Sequence, residues 1–174
     1  MDRDLTFRDA QLKDAAGLAE IGRETFVETF GDLYPPGDLR QFLDDTYSVS
    51  KMEADLKDPD VEVRIAYSGR KMVAYCKIGP CKLPFDVGPE PALELHRVYV
   101  YQAGQGVGVG RILLAWAIER SRQRGAKNLF LGVWESNERA IALYESRGFE
   151  KVGGYKFKVG DTLDDEFIMR LRLA

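Results

Sequence analysis

Apolar and polar residues alternate from Leu5 to Asp9, the two-residue period of a half-buried strand. The period then lengthens. Leu12, Ala15, Ala16, Ala19, Phe26, Val27 and Phe30 recur at helical spacing, which predicts a helix over residues 10–30 with Asp14 near its start. Gly31 and the run Tyr34-Pro35-Pro36-Gly37 break it. Two shorter helices are expected over residues 38–45 and Val49–Lys57, the second closed by Asp58-Pro59. Strands follow over residues 61–67 and 71–78, and the short Ser68-Gly69-Arg70 link argues for an antiparallel hairpin. Residues 79–91 carry prolines at 80, 84, 89 and 91 and read as a loop. Ala92–Val100 reads as a strand and residues 104–110 as a glycine-rich turn. Residues 111–124 read as a helix, with Ile112, Leu113, Ala115, Trp116 and Ile118 apolar and Gly125 as its stop. A strand over 127–133 and a helix over 136–147, closed by Gly148, come next. A hairpin of strands 150–159 and 167–173, turning near Gly160-Asp161, completes the chain.

Strand, glycine turn, helix and strand in the middle form a right-handed crossover unit of an α/β sheet, and the flanking hairpins make that sheet mixed. A length of 174 residues suits one domain over residues 1–174. Hydrophobic residues make up 45% and charged residues 30%, the composition of an ordinary globular protein. The formal net charge of -3 gives no nucleic-acid footprint and tolerates a cationic substrate. No apolar run is long enough for a membrane span. No apolar region follows Met1-Asp2-Arg3-Asp4, so no signal peptide is expected and the cytoplasm is the expected location. Cys76 and Cys81 lack the second half of a zinc site, and His96 is the only histidine, so no metal is expected. The two cysteines read as ordinary, partly buried thiols.

The stretch Gln105-Gly106-Val107-Gly108-Val109-Gly110 follows a strand and opens a helix. Free N–H groups at a helix start attract anions, and glycine lets a phosphate come close, so the loop reads as a pyrophosphate cradle. It fails the G-x-G-x-x-G dinucleotide spacing, because Val109 or Arg111 falls where the third glycine belongs. It also lacks the G-K-[ST] ending of a P-loop, since Gly110 is followed by Arg111 and Ile112. Downstream, Asn137 lies near a helix start, where an amide is either a cap or a ligand contact. Ala140, Ile141, Leu143 and Tyr144 share one apolar face, so Tyr144 on spacing alone reads as core.

Gln105, Gly108 and Gly110 in the pattern Q-x-x-G-x-G resemble the coenzyme A pyrophosphate loop of the GNAT N-acetyltransferases. The run from Gly132 to Phe149, with Asn137, Tyr144 and Gly148-Phe149, resembles the second motif of that family. The resemblance is strong over about residues 92–159. Within the family, Leu93 to Val100, Leu131 to Asn137 and Glu24-Thr25-Phe26 look like the PaiA-like polyamine acetyltransferases, although His96 stands where an acidic residue is expected. It implies the GNAT fold, a central mixed, mostly antiparallel sheet of about seven strands with helices on both faces. It also implies acetyl-CoA as co-substrate and no metal. The coenzyme A site would comprise Val98, Tyr99 and Val100, then Gln105, Gly106, Val107, Gly108, Val109, Gly110 and Arg111, then Asn137, Ala140 and Tyr144.

The expected reaction is direct acetyl transfer to a primary amine in a ternary complex. Backbone N–H groups near Val98 and Val100 would hold the acetyl carbonyl and pantetheine. Tyr144 would protonate the departing thiolate. Glu94 is the first candidate for the base, because it lies an even number of residues before Val98 and so faces the same side. His96 is the second, on its unperturbed pKa. For each, a salt link or pocket polarity is an equal alternative. A polyamine such as spermidine or spermine is the expected acceptor, with Glu28, Asp32, Asp44, Asp45 and Glu94 as carboxylates for its cations. The alternatives are another amine (an amino acid, a protein N-terminus, an aminoglycoside-like amine) and a non-catalytic acyl-CoA sensor. Relatives are often dimers, so a homodimer is a further expectation.

Overall fold

The computed structural model describes residues 5–102 and 108–173. Its strands are β1 (Leu5–Asp9), β2 (Glu62–Ser68), β3 (Lys71–Pro80), β4 (Ala92–Val100), β5 (Asn128–Trp134), β6 (Glu150–Val159) and β7 (Thr162–Arg172). These form one seven-stranded sheet in the order β1-β2-β3-β4-β5-β7-β6. Each neighbouring pair is antiparallel except β4 and β5, which are parallel. Parallel strands need a crossover, and α4 (Val109–Gln123) lies between them in the chain. Helices α1 (Ala15–Phe30), α2 (Pro36–Thr46) and α3 (Val49–Lys57) precede the β2–β3 hairpin, and α5 (Glu138–Ser146) follows β5.

The helices cover both faces. On one, Ala74 and Cys76 of β3 and Leu129 and Leu131 of β5 pack with Leu113, Leu114 and Ala117 of α4 and Ile141 of α5. On the other, Ile65 of β2 and Tyr75 of β3 pack with Leu18, Ile21 and Phe26 of α1, Leu43 of α2 and Met52 of α3. No helix among the described residues is long and apolar enough to cross a membrane.

Several boundaries differ from the sequence expectation for identifiable reasons. The first helix starts at Ala15, preceded by a 3-10 turn at Leu12–Asp14. Asp14 turns back to accept the Gln11 N–H at 2.7 Å and both arms of the Arg8 guanidinium at 2.8 Å, while Leu12 stays exposed. Helix α2 begins at Pro36, where a missing N–H costs nothing. Strand β3 runs on to Pro80 rather than stopping at residue 78. Helix α4 opens two residues early, after Gly108 at φ +85, and stops before Gly125, also at φ +85. Strand β7 begins at Thr162, five residues before the expected start, because its pairing with β6 reaches Val159↔Thr162.

Candidate active site

Strands β4 and β5 pair over three rungs, Ala92↔Asn128, Leu93↔Leu129 and Glu94↔Phe130. Beyond them β4 stays on β3 as far as Val100↔Ala74, and β5 stays on β7 as far as Trp134↔Glu166. The sheet therefore forks between β4 and β5. A cleft of about 810 Å³ lies at the fork, lined by residues from both faces of the sheet.

The α4/α5 side of the cleft collects most of the residues expected for coenzyme A. Val98, Val100, Gly108, Val109, Gly110, Arg111, Asn137, Ala140 and Tyr144 all line it. Gln105, Gly106 and Val107 lie outside the described residues. An α-helix leaves its first N–H groups without intrahelical partners, and the start of α4 brings that positive end to the cleft. Asn137 is a helix cap: its Oδ1 accepts the Ala140 N–H at 3.3 Å. Its side-chain NH2 is not used by that bond, so the cap and a ligand contact are compatible. Tyr144 is half-buried, with its ring edge-on to Phe149 at 5.7 Å. Burial, then the Tyr99 and Cys76 side chains, push its hydroxyl above the usual phenol range, so it stays protonated at neutral pH.

The structure corrects the side-chain parity on β4. Val98 pairs with Cys76 and Arg97 with Lys77, but Ile78 pairs with Leu95, leaving His96 as an extra residue in a bulge. The bulge resets the alternation. Leu93 and Leu95 share the α4/α5 core with Val98 and Val100. Glu94 therefore faces the opposite side from Val98, together with Arg97 and Tyr99. Tyr99, placed in the coenzyme A set from the sequence, also lines the cleft, with its ring packed in the α1–α3 core against Tyr47 and Tyr75.

On this α1–α3 side, Glu94 is buried. Its Oε1 accepts the Lys82 N–H at 2.8 Å, and its Oε2 lies 3.2 Å from His96 Nδ1. Burial raises the Glu94 pKa against the opposing pull of the Lys82 N–H and the Arg97 and Lys77 charges. Burial, with Lys77 nearby, brings His96 down to about 4, and its Nε2 bonds the Pro80 carbonyl at 2.9 Å. The Glu94–His96 contact has ion-pair length but involves a neutral imidazole at pH 7. Arg97 sits 5.7 and 5.9 Å from the Tyr47 and Tyr99 ring centres and donates to the His96 carbonyl at 2.9 Å.

Aromatic rings wall this half: Phe30 edge-on to Trp134 at 5.7 Å, with Tyr34, Tyr155 and Phe157. Of the carboxylates expected for a polyamine, Glu28 and Glu94 line the cleft. Asp44 instead pairs with Arg23 at 2.8 Å, Asp45 lines a separate hollow beside Asp38 and Lys158, and Asp32 is not part of the lining. The sequence reading missed Glu166, Tyr155, Trp134 and Arg97, all of which line the cleft. A usable signal existed for two of them. Counting back from a two-residue turn at Gly160-Asp161 pairs Tyr155 with Glu166.

A forked sheet with a helix start at one mouth of the fork invites comparison with known proteins. The model of the acetyltransferase (GNAT) family matches residues 22–149. The chain belongs to the GNAT family. It is 30% identical, over 93% of its length and 94% of the relative's, to an uncharacterized N-acetyltransferase in the pepI 3'region of Lactobacillus delbrueckii subsp. lactis. Its fold matches that of the PaiA N-acetyltransferase from Thermoplasma acidophilum in complex with coenzyme A. That match has a TM-score of 0.78 and 19% identity and covers 97% of this chain and 98% of that one. It also matches yncA from Salmonella typhimurium with its cofactor acetyl-CoA, with a TM-score of 0.71 and 26% identity, covering 98% and 94%. This GNAT protein is an acetyltransferase, with the mixed seven-stranded sheet and two helical faces that the family resemblance implies.

Proposed function

We propose that this GNAT enzyme transfers acetyl from acetyl-CoA to a primary amine of a polyamine-like cation, by direct attack in a ternary complex. The observation that carries the reading is the difference between the two halves of the cleft. One half has an apolar wall (Val98, Val100, Ala140, Leu143) leading to a helix start, and the other has aromatic walls with Glu28, Glu94 and Glu166. The first suits pantetheine and pyrophosphate. The second suits an alkyl cation, whose methylenes pack on rings while its ammonium groups meet carboxylates. The cleft volume of about 810 Å³ lies in the usual range for ligand sites.

The bound thioester supplies an activated acetyl group, and the protein manages the protons. An alkylammonium has a pKa near ~10.4, so reaching the neutral amine at pH 7 costs roughly 4–5 kcal/mol. Glu94 and Glu166 both face the acceptor half, and either carboxylate can take that proton. Backbone N–H groups of β4 near Val98 and Val100 are assigned to the acetyl oxygen, a contact worth about 3 kcal/mol in comparable acyl transfers. Tyr144, held protonated by burial, is assigned to give its proton to the leaving sulfur.

Thiol release from acetyl-CoA across an amine panel tests the proposal, with spermidine and spermine in the panel. Spermidine-dependent release is expected. Release with other amines but not with polyamines would reject the polyamine acceptor. Tight CoA binding without release for any amine would point to an acyl-CoA sensor.

A further inference from the structure

Gly132 lies on β5 two residues past the last β4·β5 rung, at the floor of the fork. The space beside it is taken. A Cβ on Gly132 would come within 2.5 Å of the Tyr155 hydroxyl oxygen. Glycine here lets Tyr155 lay its hydroxyl across β5, where the two halves of the cleft meet. That hydroxyl donates to Glu166 Oε1 at 2.9 Å. Tyr155 and Glu166 are directly opposed on β6 and β7, so the sheet itself fixes their bond. Both line the cleft.

We propose that Glu166, acting through the Tyr155 hydroxyl, takes the proton that the acceptor ammonium loses before attack. The inference rests on the amine-acetylation reading. The ammonium N–H bond breaks as its proton moves to Tyr155 Oη, while the phenolic O–H bond breaks as that proton moves to Glu166 Oε1. The neutral nitrogen then forms a bond to the acetyl carbon. The C–S bond breaks, and sulfur takes a proton from Tyr144. The nitrogen's surplus proton, lost as the amide forms, replaces the Tyr144 proton through solvent. Glu166 returns its own proton to solvent, so one proton is released per turnover.

The surroundings suit this role. Burial raises the Glu166 pKa, against the lowering effects of the Tyr155 hydroxyl and the Arg97 charge, while Asp164 on the same strand raises it further. Burial, then Glu166, also hold the Tyr155 phenol above its ordinary range, so it relays a proton without ionising. The other charged groups acting on Tyr155 here are Glu94 and Arg97, both from β4, the first raising its pKa and the second lowering it, and Tyr34 donates to Asp164. Glu94 is the less suitable acceptor, because its Oε1 already accepts the Lys82 N–H and its Oε2 lies against the His96 ring rather than on a hydroxyl that lines the cleft. Tyr155 and Glu166 also lie past residue 149, outside the segment matched by the family model.

The test is kcat/KM for an accepted amine against pH, for the wild-type enzyme, Glu166→Gln and Tyr155→Phe, with CoA affinity measured for all three. Both variants should bind CoA as the wild type does and lose on the order of 100-fold in kcat/KM at pH 7. Their rates should climb about tenfold per pH unit toward the amine's own pKa near ~10, while the wild type levels off earlier. Wild-type values and slopes in Tyr155→Phe overturn the relay even if Glu166→Gln proves unstable. A raised amine KM with unchanged kcat and unchanged pH slope overturns it too, because it marks an anchor rather than a proton acceptor. No turnover by the wild type with any amine overturns the amine reading and the relay together, whereas equal turnover by all three proteins overturns the relay alone.

Discussion

At the scale of single residues, the site is made by environments rather than by unusual side chains. Tyr144 is an ordinary tyrosine whose hydroxyl is pushed up chiefly by burial, with Tyr99 and Cys76 adding to it. That makes it a poor anion and a dependable donor. Replacing it with phenylalanine keeps the ring against Phe149 and removes the proton. Tyr144→Phe is therefore expected to lower kcat by about 10²–10⁴-fold while leaving the acetyl-CoA KM nearly unchanged. Steady-state kinetics with saturating amine checks this, and an unchanged kcat rejects the acid role. His96 shows the opposite effect of the same force. Its unperturbed pKa commends it as a base, yet burial brings it down to about 4 and ties its Nε2 to Pro80. It is neutral at pH 7, with both nitrogens facing protein groups. Residue type and an assumed unbroken strand parity made His96 and Glu94 attractive; neither the burial nor the neighbours are written beside them in the chain.

At the scale of elements, two local devices set the geometry. One is the β4 bulge, which adds His96 and sends Glu94 and Val98 to opposite faces. The strand Ala92–Val100 was legible to the residue, because its period and its flanking proline and glycine are local signals. The bulge was not, because it depends on how Ile78 and Lys77 of β3 register against it. The same contrast holds for β6 and β7. The turn near Gly160-Asp161 was legible, but starting the last strand at residue 167 left Glu166 outside it and hid its pairing with Tyr155. The other device is the start of α5, where Asn137 caps the helix through Oδ1 and faces the cleft. A cap needs only an acceptor, whereas a bond to a pantetheine carbonyl needs the amide NH2 as donor. Asn137→Asp should thus keep the helix cap and lose CoA affinity, while Asn137→Ala should lose affinity and about 1 kcal/mol of stability. Denaturant unfolding together with CoA titration separates the two effects. Equal CoA affinity in both variants and the wild type rejects Asn137 as a contact.

At the scale of the whole molecule, the fork divides the sheet into two parts that share little hydrogen bonding. β1 to β4 hold together as a continuous antiparallel run, as do β5, β7 and β6, and three parallel rungs at the closed end join the two runs. The α4 side chains Leu113, Leu114 and Ala117 pack under both parts, since their cluster includes Ala74 and Cys76 from one and Leu129 and Leu131 from the other. A ligand lying in the open end would touch β4 through Val98 and Val100 and α5 through Asn137 and Ala140, adding a second bridge where the sheet has none. Binding to the folded state alone stabilises it by about 2.7 kcal/mol when the ligand stands at 100 times its Kd. For a chain of this size each kcal/mol moves Tm by about 2–4 °C, so CoA at that excess should raise Tm by roughly 5–10 °C. Thermal unfolding followed with and without CoA measures it. Because the contacts bridge the fork, hydrogen exchange should also slow in both β4 and β5. Protection confined to one of the two strands would mean that the ligand lies on the surface of one part rather than in the wedge, and no shift in Tm would remove the cleft as the CoA site.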